Sequence, residues 1–323
     1  MIIWISFLLL ICFFLALDLG VFHKNPHQIS TREAWCWTLV WVVISLSFSG
    51  VIYMIYEGGW ITNVNELSSQ QAVLKYLTGY LIELSLSMDN IFVIAIIFSY
   101  FQVPNLYQHR VLFWGILGAI IFRASMILVG VVLINKFAWI TFLFGVLLLY
   151  SAYKMLRAGD IKIEPQKNPI VRWVKRIFPV SKEFTGSQFF VQRKHIWAAT
   201  PLFIALVMVE TTDIFFAIDS IPAVLAITTD PFLVFSSNIF AILGLRSLYF
   251  VLASMLEQFK FLKYSLVFIL AFVGAKMLLS HHIHPPEWVS LAVILIALLT
   301  GILTSILLGK PKTGNDLAKK EYS

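Results

Sequence analysis

The segments ELSLSMDN (residues 83–90) and VETTDIFFAIDSIPAV (residues 209–224) place five carboxylic acids inside runs that are otherwise apolar. The acids are Glu83, Asp89, Glu210, Asp213 and Asp219, with Asn90 and Ser220 directly after Asp89 and Asp219. A charged group at the centre of a bilayer costs roughly 2.5–3.5 kcal/mol on insertion scales, so acids in such runs need a reason to be there. A single acid is often protonated or paired for packing alone. Five in two related segments point instead to a site.

The rest of the chain supports lipid as the solvent. Hydrophobic residues make up 59% of the 323 positions and charged residues 13%, against about 45–50% and about 25% in soluble domains. The net charge of +7 raises nucleic acid as a partner, but the cations lie between apolar runs rather than clustered on one surface. Nucleic acid is therefore not expected. Cys12 and Cys36 fall inside apolar runs, with no CxxC pair, so neither a disulfide framework nor a thiolate metal site is indicated. Residues 1–22 lack a basic leader and a small-residue cleavage site, and are expected to remain as a span.

Runs of suitable length number nine: approximately 2–22, 34–56, 72–101, 108–134, 138–157, 196–228, 232–256, 261–280 and 286–308. The expected fold is all-α, a polytopic membrane protein forming a single transmembrane domain over 1–323. Alternate connections carry 17 Lys and Arg on one side and only Lys136 on the other. The positive-inside rule then puts the N-terminus outside and the C-terminus in the cytoplasm. The basic connection 158–195 contains PIVRWVKRIFPV (169–180), a pattern suited to a short amphipathic helix on an anionic lipid surface. A plain solvated loop is the alternative there. Lys154 and Lys276 stand near span ends, where long side chains snorkel, and His281, His282 and His284 read as ordinary residues of a short outer loop.

Superposing Asp89 on Asp219 also superposes Glu83 on Asp213 and Asn90 on Ser220. The likeness continues in order, with GILGAIIFR (115–123) matching AILGLR (241–246) and AYKML (152–156) matching GAKML (274–278). The copies, 72–157 and 196–280, each hold three spans, and an odd number inverts the second copy across the membrane. Inverted repeats with a midplane site are a recurrent transporter plan. The copies are unequal: Tyr80 stands where the second has Glu210, and Phe92 where it has Pro222.

Glu210 and Asp213 share a helical face, whereas Asp219 is about 120° away from Asp213 by the 3.6-residue period. Pro222 removes one backbone donor and disfavours helix at Ile221, so an unwound turn is expected there, aiming Asp219 inward. Five acids with amide and hydroxyl oxygens suit a hard divalent cation such as Mg, Ca or Mn, where zinc or copper would ask for His or Cys. Arg123 and Arg246, each central in its span, oppose the acids without balancing them; a bound cation or retained protons must supply the remainder. Asp18, near the inner end of the first span, reads as a pathway residue or as an interfacial one. No prosthetic group and no catalytic motif is apparent.

ELSLSMDNIFV, VETTDIFFAIDSIPAVLAITTDPF and SNIFAILGLRSLYF, together with LDLGVF and EAWCWTLVW, strongly resemble the TerC/Alx family of bacterial integral membrane proteins. The likeness covers nearly the whole chain, and the basic loop is most similar to the Alx branch. The resemblance implies a LysE-like fold of inverted three-helix repeats in the bacterial inner membrane. It implies Mn(II) export, manganese homeostasis and alkaline or metal stress, with Glu83, Asp89, Glu210, Asp213 and Asp219 as metal ligands beside Asn90 and Ser220. Proton counter-transport through Asp219 is a further expectation. The alternatives it carries are a non-transporting membrane component of a tellurium or stress-resistance complex, and a membrane redox modulator. The sequence sets no oligomeric state.

Overall fold

Helix starts follow from local sequence. Ser68 and Gln71 form a reciprocal capping box at the head of one helix, Thr200 and Asp230 cap two others, and Pro201 and Pro231 stand at first helical positions that need no donor. The computed structural model describes residues 2–22, 30–63, 66–137, 139–157, 168–181, 183–193, 196–253, 261–280 and 286–308, the side chains of 18–22 and 193 excepted. In chain order the elements are α1 (Ile2–Phe22), α2 (Thr31–Glu57), α3 (Ser69–Tyr100), α4 (Asn105–Lys136), α5 (Trp139–Arg157), α6 (Pro169–Ile177), β1 (Phe190–Arg193), β2 (Ile196–Ala199), α7 (Pro201–Leu225), α8 (Pro231–Leu243), α9 (Leu245–Ala253), α10 (Leu262–Leu278) and α11 (Glu287–Leu308). The side chain of Asp18, and His281, His282 and His284, lie outside the described residues.

The all-α architecture is present. By length and composition α2, α3, α4, α5, α7 and α11 can each cross a membrane, and α8 with α9 makes a seventh span bent by 43°. Among the described residues this makes up to seven spans, against the nine expected. Among the described side chains α1 offers the apolar stretch Ile2–Leu17 of a 21-residue helix, and α10 has 17 residues, the lower edge of what a bilayer core asks. Lipid-facing surface is evident in Leu39, Leu128, Ile296 and Leu307, each more than 60% exposed, a density of apolar surface that water would not tolerate.

Two sequence expectations need correction. The sixth span starts at Pro201 rather than 196, because Ile196–Ala199 pairs with Phe190–Arg193 as an antiparallel ribbon. Pro222 does not break α7. It lies in the final turn, where its missing N–H removes a single hydrogen bond, and Ala226 donates back to its carbonyl at 2.9 Å. The break falls instead at Gly244, between α8 and α9. Within the basic connection, α6 does form, capped by Asn168, with Val171 and Val174 buried and Trp173 and Ile177 exposed.

Contacts set helix directions. Gly79 of α3 lies beside Val224 of α7 while Asn90 meets Asp213, so α3 and α7 are antiparallel. Gly115 with Val209, Arg123 with Asp213 and Gly130 with Leu225 rise together, so α4 and α7 are parallel. Gly145 with Leu278 and Leu149 with Gly274 make α5 and α10 antiparallel.

At the α5–α10 crossing, a Cβ on Gly274 would lie 3.1 Å from both the Gly145 carbonyl oxygen and Leu148 Cβ. Small residues permit this approach where no water drives helices together. Gly274→Leu is expected to destabilise the protein by about 1–3 kcal/mol, the usual cost of overpacking, read as a lower unfolding midpoint in detergent by tryptophan fluorescence.

Candidate functional site

Two apolar clusters divide the bundle along the helix axes. One takes α3 up to Leu86 and α7 from Ala217; the other takes α3 from Ile91 and α7 up to Val209. At the seam between them sits a polar network built from four helices.

Its centre is Arg123 of α4, 1% exposed. Its Nε and Nη2 donate to Asp213 Oδ2 and Oδ1 at 3.2 and 2.9 Å, a two-pronged pairing with α7. Its Nη1 donates to Glu83 Oε1 of α3 and, at 3.2 Å, to Ser220 Oγ. Two amides complete the shell. Asn90 Nδ2 donates to Asp213 Oδ1 and Asn238 Nδ2 to Glu83 Oε2, each at 2.9 Å. Ser87 Oγ donates to Glu83 Oε1 at 3.4 Å.

An ionised carboxylate only accepts, so both amides must turn their NH₂ groups toward the acids. That leaves Asn90 Oδ1 and Asn238 Oδ1 buried with no hydrogen-bond partner among the described residues. Glu210 Oε2 is in the same condition. Buried polar atoms are nearly always satisfied, and here three that are not are all oxygens, one each on α3, α7 and α8: those of Asn90 and Asn238 belong to amides that donate to Asp213 and Glu83, and that of Glu210 lies on the helix that carries Asp213. The arrangement is an acceptor-rich cluster in which, among the described residues, the Arg123 guanidinium is the one cation paired with both acids.

Of the residues singled out by sequence, Glu83, Asn90, Arg123, Asp213 and Ser220 are brought together. Three acids are not. Asp89 faces the start of α10, within electrostatic reach of Lys263. Asp219 accepts a hydrogen bond from Ser151 Oγ of α5 at 2.7 Å and lies within reach of Lys154. Glu210 packs against Gly118 of α4, where a side chain would collide with both its oxygens. The five acids therefore do not form one ligand shell, and no group of three or more His, Cys, Asp or Glu side chains that could hold a metal occurs among the described residues. With α7 unbroken, Asp219 keeps the angular offset from Asp213 that the helical period dictates. Arg246 is buried in the first turn of α9.

Asn238 was not foreseen. The signal for it was the triplet Asn-Ile-Phe, which occurs at 90–92 and again at 238–240; both asparagines turn out to hold an acid. Gly118 stands in the triplet Ile-Leu-Gly that occurs at 116–118 and again at 242–244, a signal that marks the position without naming its partner.

The pattern of the integral membrane protein TerC family matches residues 68–313. A membrane protein of Myxococcus xanthus, STKORF319, is 43% identical over 304 residues, 94% of this chain and 92% of its own length. A membrane protein of Rickettsia felis is 43% identical over 304 residues, covering 94% and 97%. Alx of Escherichia coli K12, provisionally named a membrane-bound redox modulator, is 43% identical over 294 residues, 90% of each chain. No solved structure matches this chain. With a family pattern over most of its length, and relatives aligned across nearly all of theirs, the chain belongs to the TerC family of integral membrane proteins.

Proposed function

We propose that this protein carries divalent metal cations, Mn(II) foremost, out across the bacterial cytoplasmic membrane by alternating access. The observation that carries the reading is the surplus of buried oxygen acceptors around Glu83 and Asp213. Carboxylate, amide and hydroxyl oxygens together are the donor set that hard cations take.

The topology belongs to the same proposal: nine crossings, with the N-terminus outside. The two pairs that the repeat equates, α3 with α7 and α5 with α10, run antiparallel, which supports inversion. In that orientation Asp89 lies about 9 Å to the cytoplasmic side of Glu83, and Asp219 about 9 Å to the outer side of Asp213, at 1.5 Å per residue. The dispersed acids then become entry and exit stations flanking a central pair. Asp219 remains the candidate carrier of a counter-transported proton.

Reconstitution in liposomes tests the reading, with Mn(II) flux compared beside Ca(II), Mg(II) and Zn(II). Flux of Mn(II) above protein-free vesicles supports it; no flux of any of the four ions overturns it. The name given to the Escherichia coli relative favours a second reading, membrane redox modulation. The chain holds two cysteines, Cys12 and Cys36, both exposed on helices that face lipid. Replacing both with serine is expected to leave Mn(II) flux within about twofold of the wild type, the scale of a surface substitution of about 0.5 kcal/mol. Loss of flux in that variant would favour the redox reading.

A further inference from the structure

Arg123 occupies the space between Glu83 and Asp213, contacting both carboxylates, with its fork closed on Asp213. A divalent cation bound by the same two acids would need that space. A guanidinium and a divalent ion cannot both sit there: they compete for the same oxygens and repel each other at short range.

The structure also supplies a second place for the guanidinium. Glu210 precedes Asp213 by three residues, on the same face of α7. Its carboxylate sits in the notch left by Gly118 on α4, the helix that carries Arg123. Its Oε2 is buried and lacks a hydrogen-bond partner among the described residues. Because α4 and α7 are parallel, Glu210 lies toward the N-terminal end from Asp213, the direction in which long helical side chains lean. Glu210 and Asp213 are about 4.5 Å apart along α7 at 1.5 Å per residue, so the second place lies less than one helical turn from the first.

We infer that Arg123 is an exchangeable internal cation: entry of a metal ion moves its guanidinium from the Glu83–Asp213 pair to Glu210, and its return expels the metal. This rests on the proposed metal carriage. Glu210 is then the resting place of the displaced arginine, not a metal ligand. Two carboxylates in a low-dielectric setting are never left without a cation at any stage of the cycle, which removes the largest electrostatic cost of carrying a divalent ion through lipid.

Calorimetric titration of the purified full chain with MnCl₂ tests the exchange, using the wild type, Arg123→Gln, Glu210→Gln and the double variant. Arg123→Gln is expected to bind Mn(II) about tenfold tighter, within the about 5–150-fold range of coupled equilibria. Glu210→Gln is expected to bind about tenfold weaker, because the displaced fork loses its destination. The double variant is expected to match Arg123→Gln, since without the arginine Glu210 has nothing to receive. Arg123→Lys, a point charge without a fork, gives a second background, expected to bind more tightly than the wild type and less tightly than Arg123→Gln. An equal loss from Glu210→Gln in both backgrounds would make Glu210 a ligand and overturn the exchange. Weaker binding by both Arg123 variants would do the same. Absence of Mn(II) binding by the wild type would instead overturn the function on which the inference rests.

Discussion

Replacing Arg123 with leucine is expected to destabilise the protein by about 3–5 kcal/mol, the cost of removing one partner from a buried ion pair. Glu83 is fully buried and Asp213 nearly so, and Arg123 is the cation in contact with both. Leucine offers neither charge nor donor. Asn238, Asn90 and Ser87 would still donate to the two acids, but neutral donors do not offset two charges held in a dry interior. The expected result is a large fall in the unfolding midpoint in detergent, larger than for Gly274→Leu.

A compensating variant separates stability from function. Adding Glu83→Gln and Asp213→Asn to Arg123→Leu removes the stranded charges while keeping acceptors for the asparagine amides. That triple variant is expected to recover most of the lost stability, because a neutral replacement of a whole buried ionic cluster is usually tolerated. It is also expected to carry no metal. A stable triple variant with unchanged Mn(II) flux would show that the network serves packing alone.

Asp213→Asn is expected to lower Mn(II) flux by more than about 100-fold, beyond the about 10–100-fold typical of losing an outer-shell partner of a metal. Asp213 is the junction of the network: it receives the two-pronged arginine pairing and the Asn90 amide. Asparagine keeps the shape, so the fold is retained, with Arg123 still held by Glu83 and Ser220. What is lost is one of the two negative charges a divalent ion would need. Flux in proteoliposomes, with folding checked by size-exclusion elution and thermal midpoint, measures the effect. Retained flux in a folded Asp213→Asn protein would remove the central pair from the pathway.

Much of this site was legible in the sequence, and the illegible part has physical causes. Charges inside apolar runs declared Glu83, Asp213 and Arg123 directly, and the repeat that equated Glu83 with Asp213 found the two acids that share one arginine. The same repeat equated Asp89 with Asp219, and both lie off the central network. What one chain could not tell was how far each acid turns from its neighbour. Convergence of Asp219 depended on a bend at Pro222; a proline in the last turn removes too little to unwind a packed helix, and the helical period kept Asp219 on the α5 side. Neutral partners were harder still. Asn238 and Gly118 stand in triplets that recur in the chain, but recurrence does not say that one meets Glu83 and the other makes room for Glu210. The ribbon at 190–199 was hidden because IWAA continues the hydrophobicity of the helix after it.

The central claim is that the oxygens of Glu83 and Asp213 close on a divalent cation inside the membrane. Anomalous diffraction from crystals grown with saturating Mn(II) tests this most directly. The account predicts a manganese peak bounded by those two carboxylates, with the Arg123 guanidinium moved to Glu210. Diffraction that shows Arg123 still bridging Glu83 and Asp213, with no anomalous density between them, would contradict it.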